Sequence, residues 1–315
     1  MKFKWDNQKP MNNDKSGKAK SAQHSSGSRW LKCVATNGTI RGVALEATGL
    51  IRELAKLHKL NGMQAQGLGE AVMAGLLVSS YCKAGERVNL NIRGSGQFTQ
   101  GLVDANPDGT VRGYVIPREP KDAFFGEHNE FGPWGNGSLS ILRKKGDAGS
   151  QPYIGTVPLI TGHLAKDLTF YWFQSEQIPS AVGLAVTVDG DEVVTAGGFL
   201  VQVMPQASPE EVKLVEKHIQ EIDSLTAELS RENDPLKLLA RIFQSTAFVL
   251  LEDRPLTAYC NCSRERAIRA LKLSGIEEVS DLLKTEGKAS LNCEFCTKEY
   301  TVDADGLREL IASMT

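Results

Sequence analysis

The sequence predicts an α+β fold, and three observations predict it. Apolar and polar residues alternate in several short runs, with the two-residue period of strands that face a core on one side. Turn signals such as Asn106-Pro107-Asp108-Gly109 separate these runs. Stretches with helical spacing lie between them, but without the strand–helix–strand rhythm of a parallel sheet. The expected architecture is a mainly antiparallel sheet with packed helices, then a helical linker, then a small C-terminal module holding four cysteines.

Composition sets the class. The 315 residues carry 36 Lys+Arg against 38 Asp+Glu, a net charge of −2, and 41% are hydrophobic. Such a chain is globular and long enough for a sizeable core plus a smaller domain. The near-neutral balance argues against a protein whose main work is coating nucleic acid or an anionic membrane. No apolar run reaches the ~18 residues of a membrane span, and the charged start has no apolar stretch behind it, as a secretory signal would. A cytosolic protein is expected.

In chain order, residues 1–28 hold six lysines and two aspartates among Ser, Asn and Gln. With little to bury, they read as a disordered tail. A core domain is expected over 29–206. Ala47, Leu50, Ile51, Leu54 and Leu57 form one stripe of a helix within 45–60. A more uniformly apolar helix over 65–81 carries Leu68, Val72, Met73, Leu76 and Leu77. Val88, Leu90 and Ile92 mark a strand, and hairpins are expected at 106–109, across 144–152 and at 189–191. A helix near 161–174 carries Leu164, Leu168, Tyr171 and Trp172.

A boundary follows Met204-Pro205. Ser208-Pro209-Glu210-Glu211 combines an N-cap, a first-turn proline and a capping-box glutamate. One stripe runs from Val212 through Val215, Ile219 and Ile222 to Leu225 or Thr226 and Leu229, and Asp234-Pro235 opens another helix. Residues 207–255 hold ten acidic and six basic side chains and read as an acidic, amphipathic helical linker that must rest against something.

Residues 256–315 carry the chemistry. Cys260-Asn261-Cys262 is followed, after thirty residues, by Cys293-Glu294-Phe295-Cys296. Four thiolates in two close pairs can close a tetrahedral shell around zinc. Tyr300 and Val302 suit a returning strand, and Ser263 caps a helix to Leu273 with Gly275 as its stop. None of the five histidines lies in this segment, and the His-x-Glu and Pro-Cys-x-x-Cys signature of nucleoside deaminases is missing. So small a module has a meagre core, and zinc can supply ~10–16 kcal/mol of its folding energy. Two readings follow. The metal is a structural ribbon's anchor, or it is a switch, since oxidising the thiolates removes the ligands and hence the fold.

Other signals are weaker. Gly94-Ser95-Gly96 does not complete a dinucleotide-binding pattern. Ser175-Glu176-Gln177 reads as a helix terminus packed on the sheet, and Cys33 and Cys82 read as inert core thiols. No nucleophile–base pair suggests an enzyme. Residues 256–301 hold seven basic and seven acidic groups, and a four-thiolate zinc site carries −2. That charge disfavours nucleic acid, although Arg264 and Arg266 keep a nucleic-acid-binding zinc ribbon as the alternative.

Several stretches together resemble the heat shock protein 33 family, redox-regulated bacterial holdase chaperones. They are Thr39-Ile40-Arg41-Gly42, the segment from Tyr153-Ile154-Gly155 through Val157-Pro158-Leu159 and Asp167-Leu168 to Ser175-Glu176-Gln177-Ile178-Pro179, and Gln202-Val203-Met204-Pro205. The most specific is Cys260-x-Cys262-Ser263-Arg264-Glu265-Arg266 with Cys293-x-Phe295-Cys296. The likeness covers about 29–310; the tail departs from it.

The resemblance implies that the reduced chain holds one zinc through Cys260, Cys262, Cys293 and Cys296 and is inactive. It implies that oxidation forms the disulfides Cys260–Cys262 and Cys293–Cys296, releases zinc and unfolds first the C-terminal module and then the linker. The opened chain would form a homodimer and hold unfolding client proteins without ATP. It would have no catalytic residues and no membrane partner.

Overall fold

The computed structural model describes residues 27–119, 131–145 and 151–314. The expected tail, up to residue 26, and the tip of the expected 144–152 hairpin lie outside them.

Two sheets enclose a layer of helices. The chain begins with the hairpin β1 (Arg29–Ala35) and β2 (Ile40–Glu46), followed by α1 (Thr48–His58) and α2 (Gly62–Ser79). The first helix starts later than its apolar stripe suggests, because Leu45 and Glu46 finish β2. Asn61 and Gln64 form a capping box that fixes the start of α2. Next come β3 (Arg87–Gly94), β4 (Phe98–Ala105), β5 (Thr110–Pro117), β6 (Gly137–Lys144) and β7 (Tyr153–Leu159). Helix α3 (Leu164–Glu176) leads to the hairpin β8 (Ser180–Asp189) and β9 (Glu192–Val203). The predicted turn at 106–109 is present, closed by the Gly109 amide on the Asn106 carbonyl at 3.1 Å, with Gly109 at φ +85°.

The helices of this layer pack between the sheets, where Trp30, Leu50, Leu68, Trp134 and Trp172 are fully or almost fully buried. Helix α2 touches both sheets and has no polar face, as its even apolar pattern implies. Gly67 is required there: a Cβ would stand 2.2 Å from the Phe98 ring.

After the core the chain forms α4 (Pro209–Gln220), α5 (Leu225–Arg231) and α6 (Pro235–Phe243). They cover the outer face of the first sheet, joining Val215, Leu229, Leu238, Leu239, Ile242 and Phe243 to Leu31, Cys33 and Ile40. The single long stripe to Leu229 is corrected: the helix ends at Gln220, and the Ser224 side chain caps a new one by accepting from the Ala227 amide at 3.2 Å. A local cap here overrides apolar periodicity.

The helical reading of 207–255 also needs correction beyond Phe243. Strand β10 (Phe248–Pro255) pairs antiparallel with β1 and forms an edge of the first sheet, whose order is β10-β1-β2-β9-β8. Two β-formers, Phe248 and Val249, open the apolar run Phe248-Val249-Leu250-Leu251 and favour the strand. The short β11 (Thr257–Ala258) crosses to the second sheet and lies parallel to β5, giving the order β11-β5-β4-β3-β6-β7. Apart from that one pair, every strand pairing in the two sheets is antiparallel among the described residues.

The C-terminal module contains α7 (Arg264–Leu273), α8 (Ile276–Thr285), the hairpin β12 (Lys288–Asn292) and β13 (Glu299–Asp303), and α9 (Ala304–Ala312). Its core is separate and small: Leu271, Val279, Ala289, Val302, Leu307 and Leu310.

Candidate metal centre

Each cysteine pair is delivered by a short backbone device. Cys260 and Cys262 follow β11 directly, and Ser263 then caps α7 by accepting from the Arg266 amide at 3.3 Å. Cys293 and Cys296 occupy the turn between β12 and β13. There the Cys293 carbonyl accepts from the amides of Cys296 (3.3 Å) and Thr297 (2.7 Å), and Thr297 adopts a left-handed conformation at φ +56°. This knuckle directs two sulfurs to one side.

The fold brings the four sulfurs together, all within 4.8 Å of one another. Cys260 Sγ lies 3.7 Å from Cys293 Sγ, and Cys262 Sγ lies 3.3 Å from Cys296 Sγ. A tetrahedron with ~2.3 Å zinc–sulfur bonds has edges of about 3.8 Å. The four residues are half-buried, and the candidate ligand group they form consists of sulfur donors. The donor set fits a zinc-sized thiophilic ion.

The electrostatics point the same way. Burial alone would raise the Cys262 thiol, but the Tyr300 hydroxyl, 3.1 Å from its sulfur, and the neighbouring sulfurs outweigh that and bring it down to about 7. Burial raises Cys293 and Cys296, and for Cys296 the other sulfurs push further in the same direction. One thiolate is favoured; further negative charges on adjacent sulfurs require a cation.

The module is held to the core beside this cluster. Thr257 and Tyr259 donate their amides to the Gly109 and Val111 carbonyls at 3.1 and 2.9 Å. From β5, Arg112 Nη1 reaches Asn261 Oδ1 at 3.0 Å and Cys260 Sγ at 3.6 Å, and Tyr114 meets the Phe295 ring edge-on at 5.2 Å. His58, at the end of α1, lies beside the Phe295 and Gly113 backbone, and burial lowers its pKa.

Arg112, Tyr114 and His58 were invisible to sequence reasoning. Arg112 is 148 positions from Cys260, and no local pattern links them. By contrast, Arg264 and Arg266, which sustained the nucleic-acid reading, stay exposed and are each hydrogen-bonded within the module: Arg264 Nη1 donates to the Thr301 carbonyl at 3.0 Å, and Arg266 Nη1 donates to Asn261 Oδ1. Cys33 and Cys82 stay apart from the cluster, and burial pushes their thiols up to about 12 and about 11, as inert thiols require. Glu176 ends α3 and is occupied by Arg143 and by the Tyr171 hydroxyl, at 3.2 and 2.8 Å. No helix among the described residues is long and apolar enough to cross a membrane.

Known proteins share the fold and much of the sequence. A solved structure, the 33 kDa chaperonin of Thermotoga maritima, aligns with a TM-score of 0.78 at 31% identity, covering 90% of this chain and 98% of that one. The 33 kDa chaperonin of Synechococcus elongatus is 37% identical over 293 residues, 90% of this chain and 97% of its own length. That of Geobacter sulfurreducens is 34% identical over 288 residues, 90% and 95% of the two chains. The family described as Hsp33 protein matches residues 28–303, a span that takes in the core sheets, the linker helices and all four cysteines. With sequence and fold matched over nine-tenths of its length, this chain belongs to the Hsp33 family of chaperones.

Proposed function

We propose that the chain is a redox-regulated holdase that keeps unfolding proteins from aggregating without ATP. The observation that carries this reading is the gathering of four sulfurs from two distant pairs at the edge of a module whose core, among the described residues, has six buried apolar side chains. So small a core depends on what its sulfurs hold.

In the reduced chain Cys260, Cys262, Cys293 and Cys296 hold one zinc ion, which supplies cross-linking of the two pairs and charge neutralisation. Under an oxidant of the peroxide class, each pair surrenders two electrons and forms one S–S bond, Cys260–Cys262 and Cys293–Cys296, while one peroxide per pair takes up those electrons with two protons from solvent and leaves as water. A disulfide sulfur is no longer a thiolate ligand, so the shell is dismantled. Within-pair as well as cross-pair distances lie inside 4.8 Å, which leaves both kinds of contact accessible to the reduced cluster.

The consequence reaches the linker. We propose the division 1–28 tail, 29–206 core, 207–255 metastable linker and 256–315 switch. Strand β10 connects the linker helices to β11 and the cysteines. When the module loses order, the restraint on that connection goes, and helices α4 to α6 detach from the first sheet. Val215, Leu239, Ile242 and Phe243 on one side and Leu31 and Ile40 on the other would then face solvent. These surfaces would hold clients and support an oxidised homodimer, and the acidic linker would keep the opened state soluble.

The test follows zinc release and aggregation of a denatured client in one sample, with peroxide at mildly raised temperature. Loss of one zinc with gain of holding activity, reversed by reductant plus zinc, is expected. Zinc retained, or lost with no holding activity, would leave the cysteines as a structural anchor.

A further inference from the structure

We propose that Arg112 is the latch that couples closure of the metal shell to docking of the module on the core, a positioning residue set on the core side. The inference rests on the four cysteines being a metal site, and it adds the element that makes the site's state felt elsewhere.

Arg112 spends its whole guanidinium on two jobs. Nε and Nη2 donate to Asp104 Oδ2 at 2.9 and 2.6 Å, and Asp104 also accepts from Asn89 Nδ2 at 2.7 Å, so the side chain is braced from β3 and β4. Nη1 faces the module, with Asn261 Oδ1 at 3.0 Å and Cys260 Sγ at 3.6 Å. The flat face lies over the Phe295 ring, with 4.0 Å between the guanidinium carbon and the ring centroid, and Tyr114 packs against the same ring.

The partners are what give this arrangement meaning. Asn261 is the single residue inside the first cysteine pair, and Phe295 lies inside the second. The pairs are 33 residues apart in sequence, and the four sulfurs bring them together. One core side chain therefore touches both halves of the shell, and opening the shell would part its two partners. A planar fork that hydrogen-bonds along its edge and stacks on its face suits this task; an ammonium does not. The next contacts along the chain are the Thr257 and Tyr259 amides on β5, so releasing Arg112 loosens the strand that joins the module to β10.

The test uses the full-length, reduced, zinc-loaded chain with no oxidant, which separates it from the redox reading. Arg112→Ala should keep one zinc per chain, yet lose hydrogen-exchange protection at Thr257 and Tyr259 and pass zinc to a competing chelator about tenfold faster. Arg112→Lys should behave more like the alanine variant than like wild type, since charge alone cannot stack and fork. Arg112→Ala strands Asp104, so Phe295→Leu provides a second probe: it leaves Asp104, Arg112 and all four sulfurs in place and should speed zinc transfer in the same direction. Wild-type transfer rates and protection in both Arg112→Ala and Phe295→Leu would overturn the latch while leaving the metal site standing. An Arg112→Ala chain that loads no zinc, beside a Phe295→Leu chain identical to wild type, would also overturn it. A reduced wild-type chain that binds no zinc would overturn the latch and the metal reading together.

Discussion

The Phe243 ring of α6 occupies the space where a side chain at position 42 would stand: a Cβ on Gly42 of β2 would lie 2.9 Å from its Cε2 atom. Cys33 Sγ and Leu239 Cδ2 close the same spot at 3.3 Å. The linker helices thus dock through a gap that one glycine leaves in the first sheet, and the fit is specific rather than merely greasy.

Gly42→Ala should therefore weaken linker docking by about 1–3 kcal/mol, the usual cost of overpacking. In the reduced, zinc-loaded chain, amide exchange across 209–243 should accelerate, and suppression of client aggregation should appear without oxidant. Exchange like that of the wild type would mean that the ring shifts aside freely and that the gap sets nothing.

Metal removal should act on one module only. With a chelator and reductant present, far-UV dichroism should lose the contribution of α7 to α9, whose core is six residues. Trp30, Trp134 and Trp172 are buried between the two sheets, so their fluorescence should hold steady. A parallel change in tryptophan emission would show instead that core and module unfold as one.

Tyr300 sets the reactivity of Cys262. Its hydroxyl donates to that sulfur at 3.1 Å and, with the adjacent sulfurs, brings the thiol down to about 7 against the opposing effect of burial. Tyr300→Phe should raise it, so that alkylation of Cys262 in the metal-free reduced chain at pH 7 slows several-fold. Peptide-resolved mass spectrometry reads this directly, and equal rates would remove Tyr300 from the account.

Glu211 makes linker docking acid-sensitive. Its carboxylate accepts from the Ser208 amide at 2.9 Å, from Asn37 and from the Thr39 hydroxyl at 3.2 Å, and the Ser208 amide first, then Asn37, holds its pKa below the ordinary value. A carboxylate with a lowered folded-state pKa stabilises above its unfolded value, about 4.3, and loses that stabilisation as pH falls through the folded one. Intrinsic-rate-corrected exchange over 208–220 should therefore rise below about pH 4. Glu211→Gln should exchange faster at pH 7 and show a flatter acid response; an unchanged profile would place the acid sensitivity elsewhere.

Local chemistry was legible wherever a residue acts through its near neighbours. Ser208 with Glu211, Asp234 before Pro235, and Ser263 before α7 all start helices where their side chains dictate. Ser224 does the same and was masked by the apolar stripe that runs past it. Strand β10 was harder to see, because Val249, Leu250 and Leu251 are all exposed at a sheet edge and alternate with nothing.

A candidate metal site was legible along the chain, because four sulfurs in two close pairs have few other uses and each pair is placed by the turn around it. The family was legible too, since those cysteines come with the surrounding residues that carry the likeness. What the cysteine site touches became visible only in the fold. Arg112, Tyr114 and His58 reach it from one strand and a helix more than a hundred positions away, and Gly42 matters because the Phe243 ring lands on it. Spacing along the chain encodes what neighbours do to one another. Contacts between distant segments arise from how sheets and helices stack, and they exist only once the chain has folded.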